Sequence, residues 1–163
     1  MCKLQDKVQP KNRIQLEQLI DYAFKHNIYD LNFIDTSKIT DMSNLFINCE
    51  YDIDVSNWDV SNVTDMAGMF VGCENFNCDL SYWDVSNVKD IGGMFAACEN
   101  FNCDLSNWDV SKVTDMDNMF VNCKKFNCDL SDWDISNITR WKNMFAGCDK
   151  MTIPNWYKLY HRK

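Results

Sequence analysis

Tryptophan recurs in this chain with a fixed step. Trp58, Trp83, Trp108 and Trp133 stand 25 residues apart, each followed by Asp, then Val or Ile, then Ser. Phe70, Phe95, Phe120 and Phe145 keep the same step, as do Cys73, Cys98, Cys123 and Cys148. A degenerate first unit has Ile34 in place of Trp, ends in Phe46 and Cys49, and is one residue shorter. A chain that repeats itself this way is expected to fold by stacking equivalent units, because one unit alone cannot bury its apolar side.

Within one unit the apolar positions predict the local structure. Phe76, Cys78 and Leu80 alternate with Asn77 and Asp79, the period of a half-buried strand. Trp83 and Val85 alternate again after a slip at Ser81-Tyr82, and Ser86-Asn87 is turn chemistry. Val88, Ile91, Met94, Phe95 and Cys98 then fall at steps of three and four, which predicts a short helix. Asp90 would cap it, as would Asp41, Asp65 and Asp115, whereas the fifth unit has Arg140 there.

The expected fold is therefore an α/β repeat solenoid, a right-handed superhelix of about five coils with short strands and a short helix in each. An all-β parallel β-helix is the alternative. One domain is expected, in three parts. Residues 1–33 form an N-terminal cap with an amphipathic helix over 13–26 and a first strand at Leu31, Phe33 and Ile34; Asn12 and Gln15 fit a capping box. Residues 34–153 form the stack, and 154–163 a helical cap with Trp156, Leu159 and Tyr160 at helical spacing.

Charge excludes one class of partner. The chain carries −8 overall, and residues 34–154 hold −12 of it against small positive ends. Such a body does not attract phosphate backbones, so no nucleic acid is expected. The short apolar runs predict no membrane insertion, and Met1 to Lys11 show no secretory leader.

The string from Trp58 to Trp83, Trp-Asp-Val-Ser-Asn-Val-Thr-Asp-Met-x-x-Met-Phe-x-x-Cys-x-x-Phe-Asn-x-Asp-Leu-Ser-x-Trp, resembles the 26-residue surface-protein repeat of the BspA-like leucine-rich-repeat family. That family occurs in bacterial surface proteins, mycoplasmas, protists and giant amoebal viruses. The resemblance covers about residues 30–151 and implies a leucine-rich-repeat-like fold, a role in adhesion or protein interaction, and no catalytic residues to carry over. Cys78, Cys103 and Cys128 stand where the family more often has a polar residue such as Gln.

Three residue sets invite chemistry. The nine cysteines read first as buried small hydrophobes, with disulfides and a metal site as alternatives. The columns Asp54, Asp79, Asp104, Asp129 and Asp59, Asp84, Asp109, Asp134 read as turn caps, with calcium the sharper alternative. Asn62 and Asn137 match glycosylation acceptors. The histidines, His26 and His161, lie in the caps, and no nucleophile–base pair repeats with them. No enzyme activity, catalytic residue, resident metal or cofactor is expected.

Function then falls on positions that vary between units. Asn57, Tyr82, Asn107 and Asp132 form one such column; Ser43, Ala67, Gly92, Asp117 and Lys142 form another. Both are expected to face outward and to meet a protein partner. A monomer is expected, with self-association through the stack ends as the competing reading. Free thiols favour a cytoplasmic, host-cell or virion setting.

Overall fold

A computed structural model describes residues 7–160. Within them there are two helices, α1 (Arg13–Lys25) and α2 (Asn155–Tyr160), and no extended strand: pairing is confined to isolated parallel bridges. The α/β class is thereby overturned. Residues 88–98 form no helix, residues 76–80 and 83–85 no strands, and 31–34 is a turn between bridges at Asp30 and Ile34. A right-handed leucine-rich-repeat-like superhelix is not what the chain builds. A β-helix with continuous sheets is excluded for the same reason.

The units are built from turns. In the segment 91–98, Met94 N–H donates to Ile91 O, Ala96 to Gly93 O and Cys98 to Phe95 O, each bond spanning three residues. The intervening amides leave the unit: Ile91, Gly93, Phe95 and Ala97 donate to Asp115, Asp117, Met119 and Val121 at 2.8–3.1 Å. Successive N–H groups thus alternate between their own turn and the following unit. An α-helix would need every amide to reach back four residues. Apolar residues at steps of three suit either arrangement, and this caused the helix expectation to fail.

Backbone dihedrals enforce the choice. Gly93 and Ala97 have φ of +63° and +60°, and the equivalent pairs Asn44/Asn48, Gly68/Gly72, Asn118/Asn122 and Asn143/Gly147 are left-handed too. A left-handed residue at every fourth position is incompatible with a right-handed helix. Ala97 is the member of this set that is neither Gly nor Asn. Relieving its left-handed strain outweighs the added chain entropy of glycine, so Ala97→Gly should stabilise by about 0.5–1 kcal/mol in urea unfolding.

Equivalent residues lie over one another. Asp41, Asp65, Asp90, Asp115 and Arg140 are linked in sequence by parallel bridges. Phe46, Phe70, Phe95, Phe120 and Phe145 stack with centroids 5.6–5.8 Å apart, and each of the middle three also lies 4.1 Å from Phe76, Phe101 or Phe126 at the start of the following unit. These rings, Trp58, Trp83, Trp108 and Trp133, and Met66, Met94 and Met119 belong to one continuous buried cluster, with Trp141 and Trp156 partly buried against it.

Helix α1 lies along the first unit. Asn12 Oδ1 accepts from Gln15 N–H, but Gln15 reaches back to Lys11 N–H rather than to Asn12, so the box closes one residue early. Leu16, Ile20 and Ala23 are buried, Arg13 pairs with Asp41 at 2.8 Å, and Phe24 lies 6.5 Å from Phe46. Left-handed Asn27 ends the helix, with Ile28 N–H on Ala23 O, a Schellman closure. At the other end Trp156 and Tyr157 pack on Phe145, while Leu159, expected to face the stack, is 64% exposed. Residues 161–163 of the expected cap, with His161, lie outside the described residues, as does Cys2.

Candidate functional site

Most of the repeated polar groups are consumed inside the structure. Trp58, Trp83, Trp108 and Trp133 are 4–5% exposed, and each indole Nε1 donates at 3.0–3.2 Å to a carbonyl of the preceding unit: Leu31, Val55, Leu80 and Leu105. All four of these oxygens, on Leu31, Val55, Leu80 and Leu105, also accept the turn amide of their own unit. The indole therefore fills the second lone pair of a buried carbonyl. Cysteine does the same one turn away: Cys73, Cys98, Cys123 and Cys148 donate to Phe46, Phe70, Phe95 and Phe120 O at 2.8–2.9 Å.

All eight described cysteines are free thiols. Burial pushes the Cys73 thiol up to about 12 and raises Cys98 and Cys123 further still. Cys103 and Cys128 accept from Leu80 and Leu105 N–H through sulfur, and burial pushes each up to about 11. Such thiols are poor nucleophiles and poor metal ligands.

Each aspartate column closes Asx turns. Asp54, Asp79, Asp104 and Asp129 accept through Oδ1 from the amides of Ser56, Ser81, Ser106 and Ser131 at 2.9–3.0 Å. Asp59, Asp84, Asp109 and Asp134 accept likewise from Ser61, Ser86, Ser111 and Ser136. Bonds from Ser81 and Ser106 hold the Asp79 and Asp104 carboxyls below the usual carboxylate range. Among the described residues no group of three or more His, Cys, Asp or Glu is placed to hold a metal ion. Asn62 and Asn137 spend Nδ2, the atom a glycan would need, on the carbonyls of Ser37 and Ser111.

Asp90 behaves differently. Its expected helix cap is instead an Asx turn with Gly92 N–H at 2.8 Å. Burial raises its carboxyl, the Gly92 bond lowers it, and Asp115 and Asp65 raise it again. A carboxyl raised in the folded state is neutral in both states at low pH. Folding stability is then lost as pH climbs from the unfolded value of about 4 through the folded one. Asp90→Asn keeps the turn acceptor and removes the charge. It should melt on the order of 2 °C higher at pH 7, an effect kept small by solvent screening, and match the parent near pH 3.

The two variable columns separate. Asn57, Tyr82, Asn107 and Asp132 occupy successive equivalent turns and are all exposed, Tyr82 at 90%. Asn57 is partly engaged, its amide N–H donating to Asn32 Oδ1. Asp117, in the other column, is only partly exposed: its carboxylate accepts from Arg140 at 2.7 Å and from the Lys142 amide. The Lys142 side chain is exposed and is not among the residues that line the surface beside Tyr82.

A surface groove of about 660 Å³ lies beside Tyr82 and Asn107, walled by Asn77, Asp79, Asn102 and Asp104. It continues into a second depression of about 320 Å³ reaching Asn127 and Asp129. The three asparagines were not singled out from sequence. Their Oδ1 atoms cap the amides of Asn102, Asn127 and Thr152 in the adjoining chain. Among the described residues their Nδ2 donors have no hydrogen-bond partner, whereas the carboxylates of Asp79, Asp104 and Asp129 take a side-chain bond from Ser81, Ser106 and Ser131 besides the amide bond. The outward alternation Asn-x-Asp after each Phe is the sequence signal for this groove.

No helix among the described residues is long and apolar enough to cross a membrane. No curated protein and no solved structure matches the chain. A family model matches in two overlapping registers, residues 14–108 and 40–157, as a periodic sequence allows. The chain belongs to the family described as Mycoplasma protein of unknown function, DUF285.

Proposed function

We propose that this protein is a non-enzymatic interaction module whose partner is a protein, met on the Tyr82 side. The observation that carries the reading is the contrast within the surface. Trp, Cys and Asp columns are spent on bonds between and within units, whereas Tyr82 is 90% exposed beside an open groove. Exposed aromatic side chains at a groove edge are favoured anchors for partners. The resemblance of the Trp58–Trp83 motif to the BspA-like repeats points the same way, toward adhesion or interaction. It does so without the leucine-rich-repeat fold. Affinity capture from the native host tests the reading: a protein retained by the parent chain should be lost from Tyr82→Ala and kept by Lys142→Ala. Equal retention by both variants overturns it.

A second reading, self-assembly through the ends, has one observation in its favour. The amides of Asn143, Phe145 and Gly147 correspond to those that in earlier units donate to the next unit, and here they have no acceptor among the described residues. Against it, α1 and α2 pack on the first and last units. Sedimentation should show a monomer across concentrations; a series of growing oligomers would favour assembly instead.

A further inference from the structure

We infer that the groove beside Tyr82 binds a linear, neutral oligosaccharide running along the stack, of the kind a glycoprotein partner carries; this rests on the reading of the Tyr82 side as the partner surface. Each unit offers the groove one amide donor and one carboxylate acceptor, two residues apart: Asn77 with Asp79, and Asn102 with Asp104. The pattern continues at Asn127 and Asp129. The asparagines are held in place because Oδ1 is fixed by an amide at 2.8–3.2 Å, leaving Nδ2 to donate. The aspartates are held because each takes a serine amide at Oδ1 and a bond from the same serine's side chain, and an ionised carboxylate keeps further lone pairs to accept.

A donor beside an acceptor selects the ligand. A vicinal pair of hydroxyls can accept from the amide through one oxygen and donate to the carboxylate through the other. An ammonium group only donates and a phosphate only accepts, so each satisfies half of the pair, and the phosphate is also repelled by the carboxylates. Tyr82 adds an exposed ring against which the apolar C–H face of a pyranose can lie. The repeat distance fits as well. Phe76, Phe101 and Phe126, which directly precede the groove asparagines, are 5.9 Å apart between ring centroids, near the length of one pyranose with its linking oxygen. One sugar ring per unit follows.

Calorimetric titration with neutral hexasaccharides tests this, using β-1,4-glucose, β-1,3-glucose, α-1,4-glucose and β-1,4-N-acetylglucosamine chains. At least one should bind with a dissociation constant at or below about 1 mM. Tyr82→Ala and Asn102→Asp should each weaken that binding roughly fivefold or more. Asn102→Asp retains the oxygen that caps Asn127 and replaces only the donor, so its melting temperature reports that the fold survives. No heat from any sugar overturns the inference, as does binding indifferent to both variants, or binding of hexalysine in place of sugars. A captured protein partner separates this inference from the broader reading. If Tyr82→Ala releases the partner but enzymatic deglycosylation of it changes nothing, the interaction surface stands and the glycan falls. Loss of capture on deglycosylation supports the glycan. If neither sugars nor any protein bind, both readings fall.

Discussion

Phe95→Ala should cost about 3–5 kcal/mol, read as a drop in the urea midpoint with little change of slope. Phe95 is fully buried in the middle of the stack. It lies 5.8 Å from Phe70 and 5.7 Å from Phe120, 4.1 Å from Phe101 and 6.2 Å from Trp108. Removing the ring leaves a cavity whose walls belong to three units tied together by backbone bonds, so the site has little freedom to close. Phe145→Ala should cost less. Phe145 is already 6% exposed and is covered on one side by Trp156 and Tyr157, which can settle into the gap. Equal losses at the two positions would contradict a core whose rigidity comes from neighbours on both sides.

Trp108→Ala should be of similar size, about 3–5 kcal/mol, because it removes a large buried ring and strips the second bond from the Leu80 carbonyl. Trp108→Phe divides the two effects. It keeps most of the apolar volume and loses the donor, so about 1–2 kcal/mol should remain. If Phe costs as much as Ala, the hydrogen bond dominates; if Phe is free, the carbonyl is satisfied by its Trp83 amide bond alone.

What the sequence makes legible here is spacing, and what it hides is hydrogen-bond destination. Phe70 and Phe95, 25 residues apart in the chain, are ring neighbours in space. The segment Val88–Cys98 misleads because its apolar steps of three match a helical face, while the fate of its amides depends on a unit 24 residues away. A corrective signal was present. Asn or Gly falls at intervals of four in Asn44/Asn48, Gly68/Gly72 and Asn118/Asn122, a rhythm that supplies left-handed residues and rejects a helix. Trp156 looks from sequence like part of the cap alone. Its indole in fact donates to Leu130 O as the other indoles do to their neighbours, at a step from Trp133 that no longer matches 25. Tyr82 and Asn107 stand out from sequence because they vary among constant neighbours. Asn77, Asn102 and Asn127 escape notice because they do not vary, although repeated residues can also carry a surface when one of their atoms is left unspent.

The inter-unit bonds run in two opposed directions, and this bears on how the protein is made. Side-chain donors of each unit, Trp83 and Cys98 for example, reach back to carbonyls already synthesised. Alternate backbone donors of the same unit, Ile91, Gly93, Phe95 and Ala97, reach forward to chain still to come, while Lys89 N–H reaches back to Thr64 O. On a ribosome, each newly emerged length of polypeptide would therefore dock by its indole, its thiol and the Lys89-type amide, with the alternate amides of its 91–97 segment left open as the template for the next. Assembly in the order of translation is built into the bonding, each turn clipped onto the last before it receives its successor.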